Sequence, residues 1–245
     1  MDFPVALQMF SLREMWEANP LAAMRAAKEA GYQGIEFYGQ HYGADLSAAL
    51  LKECGLVCCG WHVNYMDLDE RFDEMVARNR AVNNHLMVVP WFKGEKAADW
   101  HKFAEWLNNM AEKCAPLGMR IGYHNHAHEF QPVNGERPWD IIANETIPQV
   151  CLQMDVGHVM NSGADPVAEL PKHPYRSPSI HCKPWSQAAK FETPIGKDDV
   201  DWVKCLDFCR KQGGTEWLIV EYTPKDDPVA AVTESLTALR GIMRG

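Results

Sequence analysis

The sequence predicts an α/β protein folded as a (β/α)₈, or TIM, barrel, a single domain across residues 1–245. Three observations carry this expectation. Eight short apolar runs recur along the chain, and each is followed by a stretch with helical spacing of apolar residues. No composition break, flexible linker or low-complexity segment interrupts the alternation, so the strands are expected to be parallel, joined by helical crossovers. The length of 245 residues also suits a closed eight-stranded barrel, which typically takes about 250.

Residues 5–10 form the first apolar run, and Asn19-Pro20 opens an amphipathic helix that Gly31 closes. The second strand spans residues 34–38 and its helix 45–54, ended by Gly55. A third strand over 56–63 leads to a helix over 69–83. The fourth, 85–90, is followed by a long helix over 97–114 that stops before Pro116 and Gly118. The fifth starts at Met119 and enters the run Gly122 to Phe130, which is crowded with histidine. A short helix (138–144), a sixth strand (150–155), a helical stub (166–170) and a seventh strand (179–182) come next. An irregular stretch over 183–198, a helix over 199–212, an eighth strand over 217–221 and a final helix over 228–243 complete the chain.

Composition narrows the function classes. With 47% hydrophobic residues the chain can bury a substantial core. A net charge of −9 without a basic stripe argues against nucleic-acid partners, whose phosphates demand clustered Lys and Arg. Met1-Asp2-Phe3-Pro4 lacks the pattern of a signal peptide, and no apolar run approaches the roughly 18 residues of a membrane span. A soluble, cytoplasmic protein without a membrane partner is expected. In that reducing setting the 8 cysteines are expected to be free thiols, with Cys54, Cys58 and Cys59 packed in the core. A homo-oligomer is compatible with the sequence.

The chemistry gathers where strands end. In an extended strand His124, His126 and His128 would share one face and Tyr123 and Asn125 the other. Two imidazoles at a strand end suit a borderline cation but cannot close its coordination sphere. Three later apolar runs end on Asp155, His181 and Glu221. Sites in such barrels lie at the C-terminal ends of strands, so His124, Asp155, His181 and Glu221, from strands five to eight, are expected at one mouth. One divalent metal ion is the expected cofactor, and two imidazoles with two carboxylates suit Mn, Co, Fe or Zn. Such a cation would leave coordination positions open to oxygen atoms of a substrate.

Residues 7–13, Gly34-Ile35-Glu36, Gly122-Tyr123-His124-Asn125-His126, Met154-Asp155-Val156-Gly157-His158, His181-Cys182-Lys183 and Val220-Glu221 together resemble the xylose-isomerase-like barrel superfamily. That group contains sugar isomerases and epimerases, inosose dehydratases and, more remotely, endonuclease IV. The resemblance implies one divalent metal held at the ends of strands five to eight, the positions of His124, Asp155, His181 and Glu221 here. It also implies that His158 contacts substrate hydroxyls. One position departs from the pattern: sugar epimerases usually carry Glu where this chain has His124, which argues against a symmetric two-glutamate mechanism. Inosose dehydratases share the Tyr-His-x-His strand.

The expected function is therefore a metal-dependent isomerase or epimerase of a sugar, keto-sugar or related polyol; the alternative is a dehydratase or lyase on the same scaffold. A sugar-binding barrel without turnover is the third class, and the acidic charge opposes nuclease activity. Glu221 is both candidate ligand and candidate base; His158 could donate a proton, and Lys183 could neutralise an oxyanion or bind an anionic group. The expected substrate contacts are His126, Glu36, His62, Glu129 and Trp185, each with the alternative of a structural hydrogen bond or core packing. Trp61 and Trp91 share that alternative.

Overall fold

The computed structural model describes residues 3–40, 42–224 and 226–245; Met1 and Asp2, part of the segment read for a signal peptide, lie outside the described residues. Eight strands form one parallel sheet: β1 (Val5–Gln8), β2 (Gly34–Tyr38), β3 (Val57–His62), β4 (Leu86–Val89), β5 (Arg120–His124), β6 (Cys151–Gln153), β7 (Ser179–Cys182) and β8 (Trp217–Val220). Their order is β6-β5-β4-β3-β2-β1-β8-β7, so each strand lies beside its sequence neighbours and β1 joins β2 to β8. The sheet closes between β6 and β7 through one parallel bridge, Asp155 with His181, where the His181 amide donates to the Met154 carbonyl at 2.9 Å. The barrel seam thus runs through two of the residues singled out from the sequence.

The helices are α1 (Arg13–Ala18), α2 (Pro20–Ala30), α3 (Ala44–Cys54), α4 (Tyr65–Glu70), α5 (Phe72–Ala81), α6 (Ala97–Cys114), α7 (Pro138–Glu145), α8 (Val156–Asn161), α9 (Pro166–Glu169), α10 (Trp202–Phe208) and α11 (Pro228–Arg244). Local chemistry sets their ends. Asn19 accepts from the Ala22 amide and Pro20 occupies the first turn of α2, while Gly31 ends it with φ of 105°.

Several boundaries differ from the sequence expectation. The first strand stops at Gln8, whose side chain accepts from the Phe10 amide and turns Met9–Leu12 into a 3₁₀ segment leading to α1. The helix expected over 69–83 starts earlier and breaks at Arg71, giving α4 and α5, with Asn64 capping α4. A short helix, α8, follows Asp155 directly because the Asp155 carboxylate accepts from the His158 amide. The helix expected from residue 199 begins at Trp202, capped by Asp201, and its last turn widens into a π-helical stretch over Cys209–Gly213.

Most of the core lies between the sheet and the helices, around residues such as Trp100, Trp139, Phe37 and Leu107. The barrel interior is divided. Toward the N-terminal ends Ala6, Cys59 and Ile219 form a small apolar plug, whereas the C-terminal half holds buried Gln8, Glu36, His62, His124, Gln153 and His181. A barrel interior is ordinarily filled with branched apolar side chains, so a polar layer there is a departure that function must explain. Gly60 makes room for it: a Cβ at this position would lie 2.5 Å from Glu36 Oε1. The 8 cysteines are free and buried, Cys58 and Cys59 within the sheet. Among the described residues no helix is long and apolar enough to cross a membrane.

Candidate metal centre at the barrel mouth

Four strand ends converge. His124 closes β5, Asp155 follows β6, His181 lies in β7 and Glu221 follows β8. One donor atom from each lies within 4.8 Å of the others, and all four residues are buried. Asp155 uses Oδ1 to cap α8, accepting from the His158 amide at 2.8 Å, while Oδ2 is buried without a partner. That oxygen stands 4.0 Å from His124 Nε2 and 3.8 Å from His181 Nδ1. His181 Nδ1 in turn lies 3.0 Å from Glu221 Oε2. A buried carboxylate oxygen left open, facing two imidazole nitrogens beyond hydrogen-bond length, fits a divalent cation with N/O ligands.

The opposite nitrogens of both rings are anchored. His181 Nε2 is 2.5 Å from Glu36 Oε2, and His124 Nδ1 is 3.0 Å from Gln153 Oε1. Imidazoles that bind a metal usually donate their other N–H to a carboxylate or carbonyl in this way. Glu36 also accepts from Gln8 Nε2 at 2.8 Å and from Gln153 Nε2 at 2.7 Å. His62 Nε2 approaches Gln153 Oε1 at 2.8 Å and Glu36 Oε2 at 3.1 Å. Glu36 and His62, expected as substrate contacts, thus lie in a network beneath the cluster, although His62 also reaches the cavity wall.

Burial and charge set the protonation states. Burial alone would raise the Glu36 and Glu221 carboxyls, but His62 and His181 hold Glu36 below the usual range and Lys183 and His181 do so for Glu221. Lys183 Nζ donates to Glu221 Oε1 at 2.5 Å, and Glu221 with Asp155 outweighs the burial that opposes its charge. Asp155 is pushed up to about 7 by burial and by Glu221. Burial also disfavours the His181 cation, but Glu36 and Glu221 together raise it to about 10. Lys183 and His181 thus balance Glu36 and Glu221, and a cation bound at the cluster would take the place of the His181 proton on Nδ1.

Above the cluster lies a cavity of about 260 Å³ whose wall includes Gln8, Phe10, Tyr38, Trp91, His126 and Glu221. The face-sharing expected of His124, His126 and His128 does not hold, because β5 ends at His124: the Asn125 side chain accepts from the Asp155 amide at 2.9 Å and the chain turns into a 3₁₀ segment at His128–Phe130. His126 nevertheless returns to the mouth, its ring 4.6 Å from that of His158 and 4.8 Å from that of Trp91. His126 Nδ1 and His158 Nδ1 are buried without partners. Burial lowers both imidazoles, to about 4 for His126 and about 2 for His158. Glu129 sits below the loop, its oxygens taken by the Tyr123 hydroxyl at 2.6 Å and the His126 amide at 2.8 Å. Trp185 packs outside the cavity wall, donating to Asn161 at 3.1 Å. Trp61 donates to the Gly39 carbonyl from the core.

Sequence reasoning missed Gln153 and Gln8. Each is an amide inside an apolar strand, and the only signal was a polar residue at an inward-facing position of a buried run.

The family model described as xylose isomerase-like TIM barrel matches residues 24–242. The chain is 26% identical to the rhizopine catabolism protein MocC of Rhizobium meliloti over 240 residues, covering 79% of this chain and 71% of that protein. It is 24% identical to an inosose dehydratase of Lactiplantibacillus plantarum over 245 residues, covering 82% of this chain and 80% of the relative. Its backbone is similar to a solved sugar phosphate isomerase/epimerase from Parabacteroides distasonis, with TM-score 0.84, 19% identity and coverage of 97% and 93%.

Proposed function

The chain belongs to the xylose isomerase-like TIM barrel family, and from that premise we propose that it is a divalent-metal-dependent isomerase that removes a proton beside the carbonyl of a sugar, keto-sugar or related polyol. The observation that carries this reading is the open Asp155 Oδ2, set among Glu221 and two imidazole nitrogens whose rings are anchored from behind. His124, Asp155, His181 and Glu221 would hold the ion. When bound there, a divalent cation supplies Lewis-acid polarisation and stabilises the negative charge that deprotonation creates.

The protein's own groups do the rest. Glu221 is the proposed base, kept ionised by the Lys183 ammonium on its Oε1. The same contact weakens it as a base, so the C–H it attacks must be acidified by a neighbouring carbonyl. Lys183 orients Glu221 and offsets charge as the proton moves. His126 and His158, with unpartnered Nδ1 atoms, would hydrogen-bond substrate hydroxyls, and Trp91 and Phe10 would cover an apolar face of the substrate. Since His124 stands where a second glutamate would be needed, one carboxylate serves the reaction. That favours a proton shuttled between adjacent carbons on one face over inversion by two opposed bases.

A second reading, elimination of water from a keto-polyol, is favoured by the likeness to inosose dehydratases. Incubation of the manganese-loaded protein with a panel of keto-sugars and keto-polyols in deuterated buffer, read by mass spectrometry, separates the readings. An isomeric product of unchanged formula, resolved by chromatography and with or without deuterium gained, supports isomerisation, and loss of water supports elimination. Binding without either outcome contradicts both.

A further inference from the structure

The polar layer beneath the mouth offers two overlapping donor sets. His124 and His181 belong to both: one adds Asp155 and Glu221, the other adds His62. His124 turns Nε2 toward Asp155 and Nδ1 toward Gln153, and His181 turns Nδ1 toward Asp155 and Glu221 and Nε2 toward Glu36. Neutral imidazole has one N–H and one lone pair, so whatever places the proton chooses the face that can bind a cation.

Gln153 is the group that places it on His124. The residue is wholly buried in β6 and both ends of its amide are used. One end lies 2.7 Å from Glu36 Oε1 and 2.8 Å from Ser179 Oγ; the other lies 2.8 Å from His62 Nε2 and 3.0 Å from His124 Nδ1. An ionised carboxylate can only accept, so the end against Glu36 must be the NH₂ group. The carbonyl oxygen therefore faces the histidines, and it too can only accept. His62 Nε2 and His124 Nδ1 must both carry hydrogen, which leaves the His124 lone pair on Nε2, toward the unpartnered Asp155 oxygen. The same bond places hydrogen on His62 Nε2, so that nitrogen has no lone pair to offer a cation.

We propose that Gln153 is a positioning residue that readies the carboxylate-containing donor set by fixing the His124 tautomer with its lone pair on Nε2. The inference rests on the ligand set proposed above, but the tautomer is measured without any metal. In the ¹⁵N-labelled, metal-free protein, long-range ¹H–¹⁵N spectra should show His124 protonated at Nδ1. Gln153→Met, close in volume but unable to accept strongly, should mix or invert that tautomer and raise the Mn(II) dissociation constant about 10- to 100-fold by calorimetry, the range seen when groups behind metal ligands are lost. Gln153→Glu, holding a proton toward Glu36 as the amide does, keeps an oxygen against His124 Nδ1 and should retain the wild-type tautomer. An unchanged tautomer and unchanged Mn(II) affinity in Gln153→Met would overturn the proposal. Should that variant not fold, as judged by circular dichroism, the wild-type spectrum decides: hydrogen on His124 Nε2 overturns it. Wild-type protein with the expected tautomer but no Mn(II) binding counts against the proposed function and leaves the role of Gln153 standing.

Discussion

Glu221 is asked to do two things, bind and take a proton, and the two can be separated chemically. Glu221→Gln keeps an oxygen for coordination but cannot accept the proton. It should retain bound manganese while losing α-proton exchange by at least about 100-fold, the lower end of what a positioned acid or base contributes. Wild-type exchange at full metal occupancy would remove Glu221 as the base. Asp155→Ala should instead abolish metal binding at micromolar concentrations. The four tip residues were legible because each ends an apolar run with a metal-capable side chain, a coincidence that four strands make hard to dismiss. The layer behind them was not: nothing in Cys151-Leu152-Gln153 says that the amide will face Glu36 from another strand, since β2 and β6 meet only across the closed interior. Glu36 was read as a contact for substrate, whereas its oxygens are occupied by Gln8, Gln153 and His181.

At the scale of elements, α8 is held against β7 by the absence of a side chain. A Cβ on Gly157 would meet the Lys183 carbonyl oxygen at 2.6 Å, backbone that cannot swing aside. Helix propensity favours alanine over glycine by about 1 kcal/mol. The clash should still win: Gly157→Ala is expected to destabilise by about 1–3 kcal/mol, seen as a lower melting temperature, and to weaken Mn(II) binding by displacing Lys183 from Glu221. A stabilised variant would show that α8 is free to shift. On the outer layer Arg137 ties α7 to α9, contacting Glu169 at 2.9 Å through both terminal nitrogens. Burial would raise the Glu169 carboxyl, but Arg137 and Lys172 lower it below its ordinary 4.5. A carboxyl lowered on folding adds stability that is present above that ordinary value and lost as pH falls through the lowered one. Melting curves of wild type and Glu169→Gln should therefore differ at pH 7, and the difference should shrink as pH falls below that ordinary value of 4.5; a constant difference would exclude the ion pair as the cause. Element positions were readable from apolar runs and caps such as Asn19-Pro20. The break at Arg71 and the end of β5 at His124 were not, because the latter depends on the Asn125 side chain reaching the Asp155 amide across strands.

The whole molecule should not need its metal to fold. Its apolar core lies outside the barrel wall, and the polar layer is already cross-linked by Gln8, Glu36, His62, Gln153 and His181 without an ion. Chelation is expected to lower the melting temperature while leaving one cooperative transition. Saturation at a hundredfold excess over the dissociation constant adds about 2.7 kcal/mol, and at this size each kcal/mol moves the midpoint by about 2–4 °C. Unfolding on chelation at 25 °C would mean the site is structural. One cation is proposed to sit among His124, Asp155, His181 and Glu221. Anomalous diffraction from manganese-soaked crystals tests it most directly. A single peak within about 2.0–2.3 Å of His124 Nε2, Asp155 Oδ2, His181 Nδ1 and a Glu221 oxygen is predicted, whereas a peak among His62, His124 and His181, or none at saturating manganese, would contradict it.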